Sequence, residues 1–261
     1  MLRRAAALGA PRAAPQRGMA AAAAAAAAQP DNYYPHGLVS LSPECPVFHV
    51  LDGLGGFSEQ ALDGPSPFVR PTTLRFTHGG SARRWDAVAA HDSVAVLLLH
   101  APRRAFVIVR QFRPAVYAVR ARAARAAGAP DPPPAAGLCY ELCAGIMDKA
   151  GKSAEQTCCE EVLEEVGYSV PPAALRRVAG GVVSSAGITG ATQDVFYAEV
   201  DESMRACAGG GTACRSERVE ALALPVDAAA AFIEDAALAK TPGLCFGLLW
   251  GAARLAGGGG T

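Results

Sequence analysis

Residues 145–168 read GIMDKAGKSAEQTCCEEVLEEVGY, from Gly145 to Tyr168. Ser153 followed by Gln156 is the pattern of a capping box, so a helix begins there. Gly167 suits the left-handed position just past a helix end, so the helix stops there. At about 100° per residue, Cys158, Val162 and Val166 fall on one side and Glu160, Glu161, Glu164 and Glu165 on the other. The pairs 161/165 and 160/164 stand one turn apart, where like charges repel, and acids at a helix C-terminus oppose its dipole. No lysine or arginine between Ser153 and Tyr168 offsets them. Two readings follow: a solvated acidic face, or carboxylates gathered around a cation. Magnesium fits the second, since it takes oxygen ligands and keeps positions open for phosphate. A loop with Gly145, Asp148 and Gly151 leads into this helix.

Outward from that unit, strand patterns dominate. Before it, Thr72–Thr77 and the return from Arg83 flank a Gly79-Gly80 turn. Ser93–Leu99 and Ala105–Gln111 form a second hairpin, ended by Pro114. Residues 118–136, rich in Ala, Arg, Pro and Gly, read as a long exposed loop, and Tyr140–Cys143 as a strand delivering the chain to Gly145. After the helix, strands are predicted at 175–183, 195–200 and 219–224. Helices follow, one capped by Asp227 and one opened by Thr241-Pro242. Strands in runs with few helices give an α+β fold with a mixed sheet. Residues 1–30 carry Arg3, Arg4, Arg12 and Arg17 without an acid, which suits either a mitochondrial or chloroplast transit peptide or an alanine-rich tail. Residues 31–67 read as a weakly ordered lead-in with room for one strand, residues 68–256 as the folded domain, and residues 257–261 as a disordered tail.

Formal net charge is zero, so composition gives no reason to expect nucleic acid or an acidic membrane as partner. No span has the length and apolarity of a transmembrane helix. The eight cysteines show no CxxC pair and no zinc spacing. That favours free thiols in a reducing, cytoplasmic setting. The histidines form no ligand cluster.

The run Gly145…Glu161-Val-Leu-Glu164-Glu165-Val-Gly167-Tyr168 resembles the signature box of the Nudix hydrolases. Its core Glu-x-x-Glu-Glu-x-Gly is intact. It departs from the usual box by one extra residue between Gly145 and Glu161. Glu155 is the nearest early glutamate, Glu160 stands where the box has arginine, and Tyr168 replaces the final aliphatic residue. Further stretches are similar to the UDP-sugar diphosphatase branch of that family: Pro71, Trp85-Asp86, His91-Asp92-Ser93-Val94, residues 109–117, residues 141–145, residues 175–179 and Lys240-Thr241. The likeness runs from about Phe68 to Trp250.

The resemblance implies an α/β/α sandwich, a homodimer, and hydrolysis of UDP-glucose to UMP and glucose 1-phosphate with magnesium, manganese being the alternative ion. Glu161 and Glu165 are the implied metal ligands, with Glu164 sharing the site and the Ala144 carbonyl as a backbone ligand. A general base from a later loop is expected, with Glu217 and Glu220 as candidates. Arg113 is a candidate diphosphate contact, since a guanidinium fork suits phosphate. Arg83 and Arg84 are a second candidate pair, reaching into a neighbouring subunit's site, and Trp85 is a candidate base-stacking surface or core residue. Glu141 is expected to support the site. The rival activities are ADP-ribose or ADP-sugar hydrolysis, and nucleotide-sugar binding with weak catalysis.

Overall fold

The computed structural model describes residues 34–41, 50–66, 69–211 and 218–257. Its centre is an eight-stranded mixed sheet. The strands are β1 (Val39–Ser40), β4 (Ser93–His100), β5 (Ala105–Phe112), β6 (Leu138–Glu141), β7 (Cys143–Ile146), β8 (Arg176–Val183), β9 (Thr192–Val200) and β10 (Val219–Pro225). Their order is β1-β10-β5-β4-β9-β8, with β6 joined to β5 and β7 to β4. β4 and β9 run parallel and the other pairs antiparallel. β2 (Arg70–His78) and β3 (Ser81–Ala89) form a separate hairpin.

Successive strand side chains point to opposite faces, so a strand apolar at every position must be covered on both sides. β4 does this. Val94, Val96 and Leu98 join one core, and Ala95, Leu97 and Leu99 the other. The first core is closed by Cys158, Val162 and Val166 from the central helix and by Tyr168 just past its end. The second is closed by Phe232 of α3 (Ala229–Glu234) and by Leu244 and Leu248 of α4 (Pro242–Ala256). The result is the expected α/β/α sandwich. Full burial of each Val, Leu or Phe stabilises by about 1.5–3 kcal/mol, and a one-residue slip would exchange the faces, so register is firmly set.

The central helix, α2 (Ala154–Glu161), starts as its sequence requires. Ser153 Oγ accepts the Gln156 N–H, and the Gln156 side chain accepts the Ser153 N–H. Its last turn, Val162–Val166, is π rather than α, and Gly167 ends it at φ 78°. That wide turn is invisible to a pattern of fixed period.

Two expectations are corrected. Residues 114–126 form a helix, α1 (Pro114–Ala126), not an open loop. Alanine and arginine are strong helix formers, and Pro114 presets the first turn while it ends β5. Tyr117 and Ala121 bury its inner side. Asp227 does not cap a helix by its side chain; it lies in a short 3-10 turn, Val226–Ala228, that runs into α3. Thr241 does cap α4, accepting the Leu244 N–H at 3.3 Å. No helix among the described residues is long and apolar enough to cross a membrane.

Candidate active site

The site grows from the contact between β7 and the end of α2. β7 pairs with β4, placing Gly145 opposite Val94 and Ala144 opposite Ala95. Glu161 fills the space above Gly145: a Cβ on residue 145 would lie 2.2 Å from Glu161 Oε1. Only glycine leaves that seat open. One turn on, Glu165 is 2% exposed and its Oε2 accepts the Ala144 N–H at 3.1 Å. Two carboxylates therefore lie against adjacent residues of one strand, one held by packing and the other by a backbone donor.

Glu161 opens onto a cavity of about 880 Å³. Ser93, Gln111 and Gln193 line it, together with Ala144, Gly145 and Ile146 of β7. Arg113, Glu141 and Arg218 line it as well, with Val50, Asp52, Gly53 and Leu54 from the lead-in. The Arg113 guanidinium donates from Nε and Nη2 to the two oxygens of Glu141, at 2.6 and 2.7 Å. This fork raises the Arg113 pKa further and fixes the cation at the cavity edge. An adjoining cavity of about 370 Å³ shares Glu141, Ala144 and Gln193 and continues towards the start of α4.

The crowding of four acids is smaller than the sequence suggests. Glu160 turns away to Lys149 and Lys152, which precede the helix; the Lys149 contact is 2.9 Å. These lysines hold its carboxyl below the usual range. Glu160 therefore stands apart from Glu161 and Glu165. Glu164 is half-buried, and its backbone carbonyl accepts the Gly211 N–H at 3.0 Å.

The donor set beside Ala144 and Gly145 is made of oxygen atoms. Among the described residues, no three His, Cys, Asp or Glu side chains form a ready-made metal cage. Glu161 at the cavity wall, with Glu165 buried beside it, still fits magnesium, which keeps several waters and is held by one or two carboxylates plus substrate phosphates. The packing of the Glu161 carboxyl directly over Gly145, where a Cβ would collide with it, is the structural sign of a carboxylate held in one place.

The other candidates separate. Glu217 lies outside the described residues. Glu220 is not a loop acid over the cavity: it sits within β10, fully buried. Its neighbours of like orientation, Leu222 and Leu224, belong to the α3–α4 core, whereas α2 covers the other face. There Glu220 Oε2 takes two N–H bonds from Arg110 at 2.6 and 3.0 Å, and Oε1 accepts the Tyr34 hydroxyl at 2.8 Å. Arg83, Arg84 and Trp85 lie on the exposed hairpin and do not line the cavity. Arg84 pairs with Asp86, and Trp85 is neither core nor stacked in the cavity: it is 52% exposed, and its Nε1–H donates to the Gly187 carbonyl at 3.0 Å.

Sequence reading missed Gln111, Gln193 and the wall from the lead-in. Gln111 had a usable signal, a polar residue in an otherwise apolar strand. The lead-in had none, because its place depends on long-range packing.

No family model matches the chain. It is 42% identical over 197 residues to a uridine diphosphate glucose pyrophosphatase of Bos taurus, covering 71% of this chain and 88% of the relative. The corresponding protein of Mus musculus is 40% identical over the same spans. A GDP-mannose pyrophosphatase of Pectobacterium atrosepticum is 29% identical over 163 residues, 62% of this chain and 74% of that protein.

Proposed function

Because this chain belongs to the uridine diphosphate glucose pyrophosphatases of the Nudix hydrolase family, we propose that it cleaves the pyrophosphate bond of UDP-sugars, UDP-glucose giving UMP and glucose 1-phosphate. The observation that carries this reading is the pair Glu161 and Glu165 seated on Gly145 and Ala144, with Glu161 lining the cavity and Glu165 buried one turn behind it.

In this reading Glu161 and Glu165 hold magnesium, with manganese as a substitute, and Glu164 and the Ala144 carbonyl complete the protein's share. The bound ion would neutralise the pyrophosphate and lower the pKa of an attacking water. Arg113, anchored by Glu141, orients the diphosphate through its remaining guanidinium edge. Gln111 and Gln193 offer amide donors and acceptors to the substrate. Glu217 remains the candidate for accepting the water's proton.

The reading includes a homodimer. Among the described residues the β2–β3 hairpin pairs with no other strand, and Leu74, Phe76 and Trp85 are exposed on it. A second subunit would cover this apolar surface and bring Arg83 and Arg84 near the other subunit's cavity. The described cysteines are all free, which suits a reducing compartment, the cytoplasm or, if residues 1–30 are a transit peptide, the mitochondrion or chloroplast.

The test is a panel of UDP-glucose, ADP-ribose and GDP-mannose, each assayed with and without magnesium. Fast, magnesium-dependent release of UMP from UDP-glucose is expected. Fast ADP-ribose or GDP-mannose cleavage with negligible UDP-glucose cleavage would replace the substrate assignment. Binding without hydrolysis would replace the enzyme.

A further inference from the structure

The lead-in lies outside the stretch that resembles the family, yet part of it is built into the cavity. Val50 is buried, and Asp52, Gly53 and Leu54 follow it along the cavity wall. The segment is held at both ends. Arg218, next to β10, donates from Nη1 to the Asp52 carbonyl at 2.9 Å. Phe57 packs edge-on against Tyr117 of α1, with ring centroids 4.6 Å apart. Both anchors belong to the folded domain, so the piece between them is placed by the tertiary structure.

Its chemistry differs from that of the rest of the cavity. Arg113 and Arg218 supply cations, and the Glu161 side is suited to metal-bound phosphate. Asp52 is an acceptor-only carboxylate. A bare phosphate beside it would be repelled, whereas a hydroxyl would donate to it. Leu54 and Val50 add apolar surface, suited to the C–H face of a sugar ring. Asp52 is not already consumed by a strong ion pair: its carboxylate lies 3.9 Å from Arg218, and both side chains are more than half exposed.

We propose that residues 50–57 form a specificity wall in which the Asp52 carboxylate accepts a hydrogen bond from a hexose hydroxyl of the nucleotide sugar. This rests on the proposed nucleotide-sugar hydrolase activity and names the residue that reads the sugar. It adds a recognition element from a segment outside the stretch of resemblance.

The experiment compares wild type with Asp52→Ala, Asp52→Asn and Phe57→Ala. KM and kcat are measured for UDP-glucose, with UDP, which lacks the hexose, as a competitive inhibitor. Asp52→Ala is expected to raise KM about tenfold, the size of one charge-assisted hydrogen bond, with kcat within about twofold of wild type. The inhibition constant of UDP stays unchanged. Asp52→Asn keeps one acceptor oxygen and recovers most of the affinity, while Phe57→Ala, which loosens one anchor, raises KM in the same sense. An unchanged KM in Asp52→Ala, or an equal weakening of UDP and UDP-glucose, overturns the proposal. Thermal unfolding of each variant is recorded, and if Phe57→Ala does not fold, the two Asp52 variants decide the matter by themselves. If wild type prefers GDP-mannose or ADP-ribose, the substrate reading fails on its own. With GDP-mannose the same comparison, run against GDP, then decides the wall, whereas a preference for ADP-ribose, which carries no hexose, overturns it.

Discussion

The carboxylate of Glu161 occupies the space that a Cβ on Gly145 would fill. Its Oε1 would be 2.2 Å from that atom, and its Cδ and Cγ nearly as close. The box arginine that Glu160 replaces is therefore not the only means of fixing Glu161; the bare backbone of β7 supplies a seat for it.

That seat makes Gly145→Ala a selective probe. Displacing the end of a flexible side chain is cheap for folding, so stability is expected to change by less than about 1 kcal/mol. Moving the carboxylate costs function, and turnover should fall by about 10–100-fold, as for other groups that orient a metal ligand. Magnesium titration of activity, with a parallel melting curve, checks both halves.

Glu161→Gln and Glu165→Gln should each lower turnover by roughly 100-fold or more, as loss of a metal ligand does. Glu160→Gln should do far less. Its partners Lys149 and Lys152 lie at the surface, where solvent screens such pairs, and none of the three lines the cavity. Similar rates for all four proteins, wild type included, would remove the site from this helix.

Glu220→Ala separates folding from catalysis. It strands Arg110, which is 2% exposed, beside Tyr140 and Tyr34. Breaking one partner out of a buried ion pair costs about 3–5 kcal/mol. A lower urea midpoint is expected, with turnover of the folded fraction close to wild type. A large kcat loss at unchanged stability would return Glu220 to the role of base.

Alkaline pH should weaken the fold. Burial pushes the Cys139 thiol up to about 12, and raises Cys143 and Cys158 well above the usual range. In the unfolded chain thiols ionise near 8.5. Above that pH the unfolded state releases protons that the folded state keeps, so stability is whole below about 8.5 and declines as pH rises towards the folded values. Unfolding midpoints between pH 8 and pH 10 test the sign. Iodoacetamide at pH 8 should leave these three thiols unmodified in the folded protein and reach the exposed Cys207.

Much of the architecture was legible locally. The Ser153–Gln156 box, Gly167 and the doubly apolar β4 specify a helix, its end and a strand covered on both faces, because each depends on neighbours within a few residues. Helix α1 was misread because Pro114 and the Pro/Gly-rich stretch after it were given more weight than the alanine and arginine between them. The carboxylates on the helix were visible too, but not their partition. Lys149 and Lys152 are close in sequence, yet only the folded loop turns them back onto Glu160.

By itself, then, the amino-acid sequence determined the helix that carries Glu161 and Glu165, and the alternation that builds a two-sided sheet. Both are short-range properties of backbone and side-chain periodicity. Tertiary structure decided what those residues face. Glu220 follows the same alternation as its strand neighbours, but which face α2 covers is settled by packing across the sheet, and that packing puts Glu220 with Arg110 rather than with Glu161. Residues 50–57 carry no local pattern that places them at the cavity. Arg218 and Tyr117, far away along the chain, hold them there, and contacts at such separation exist only once the sheet has formed.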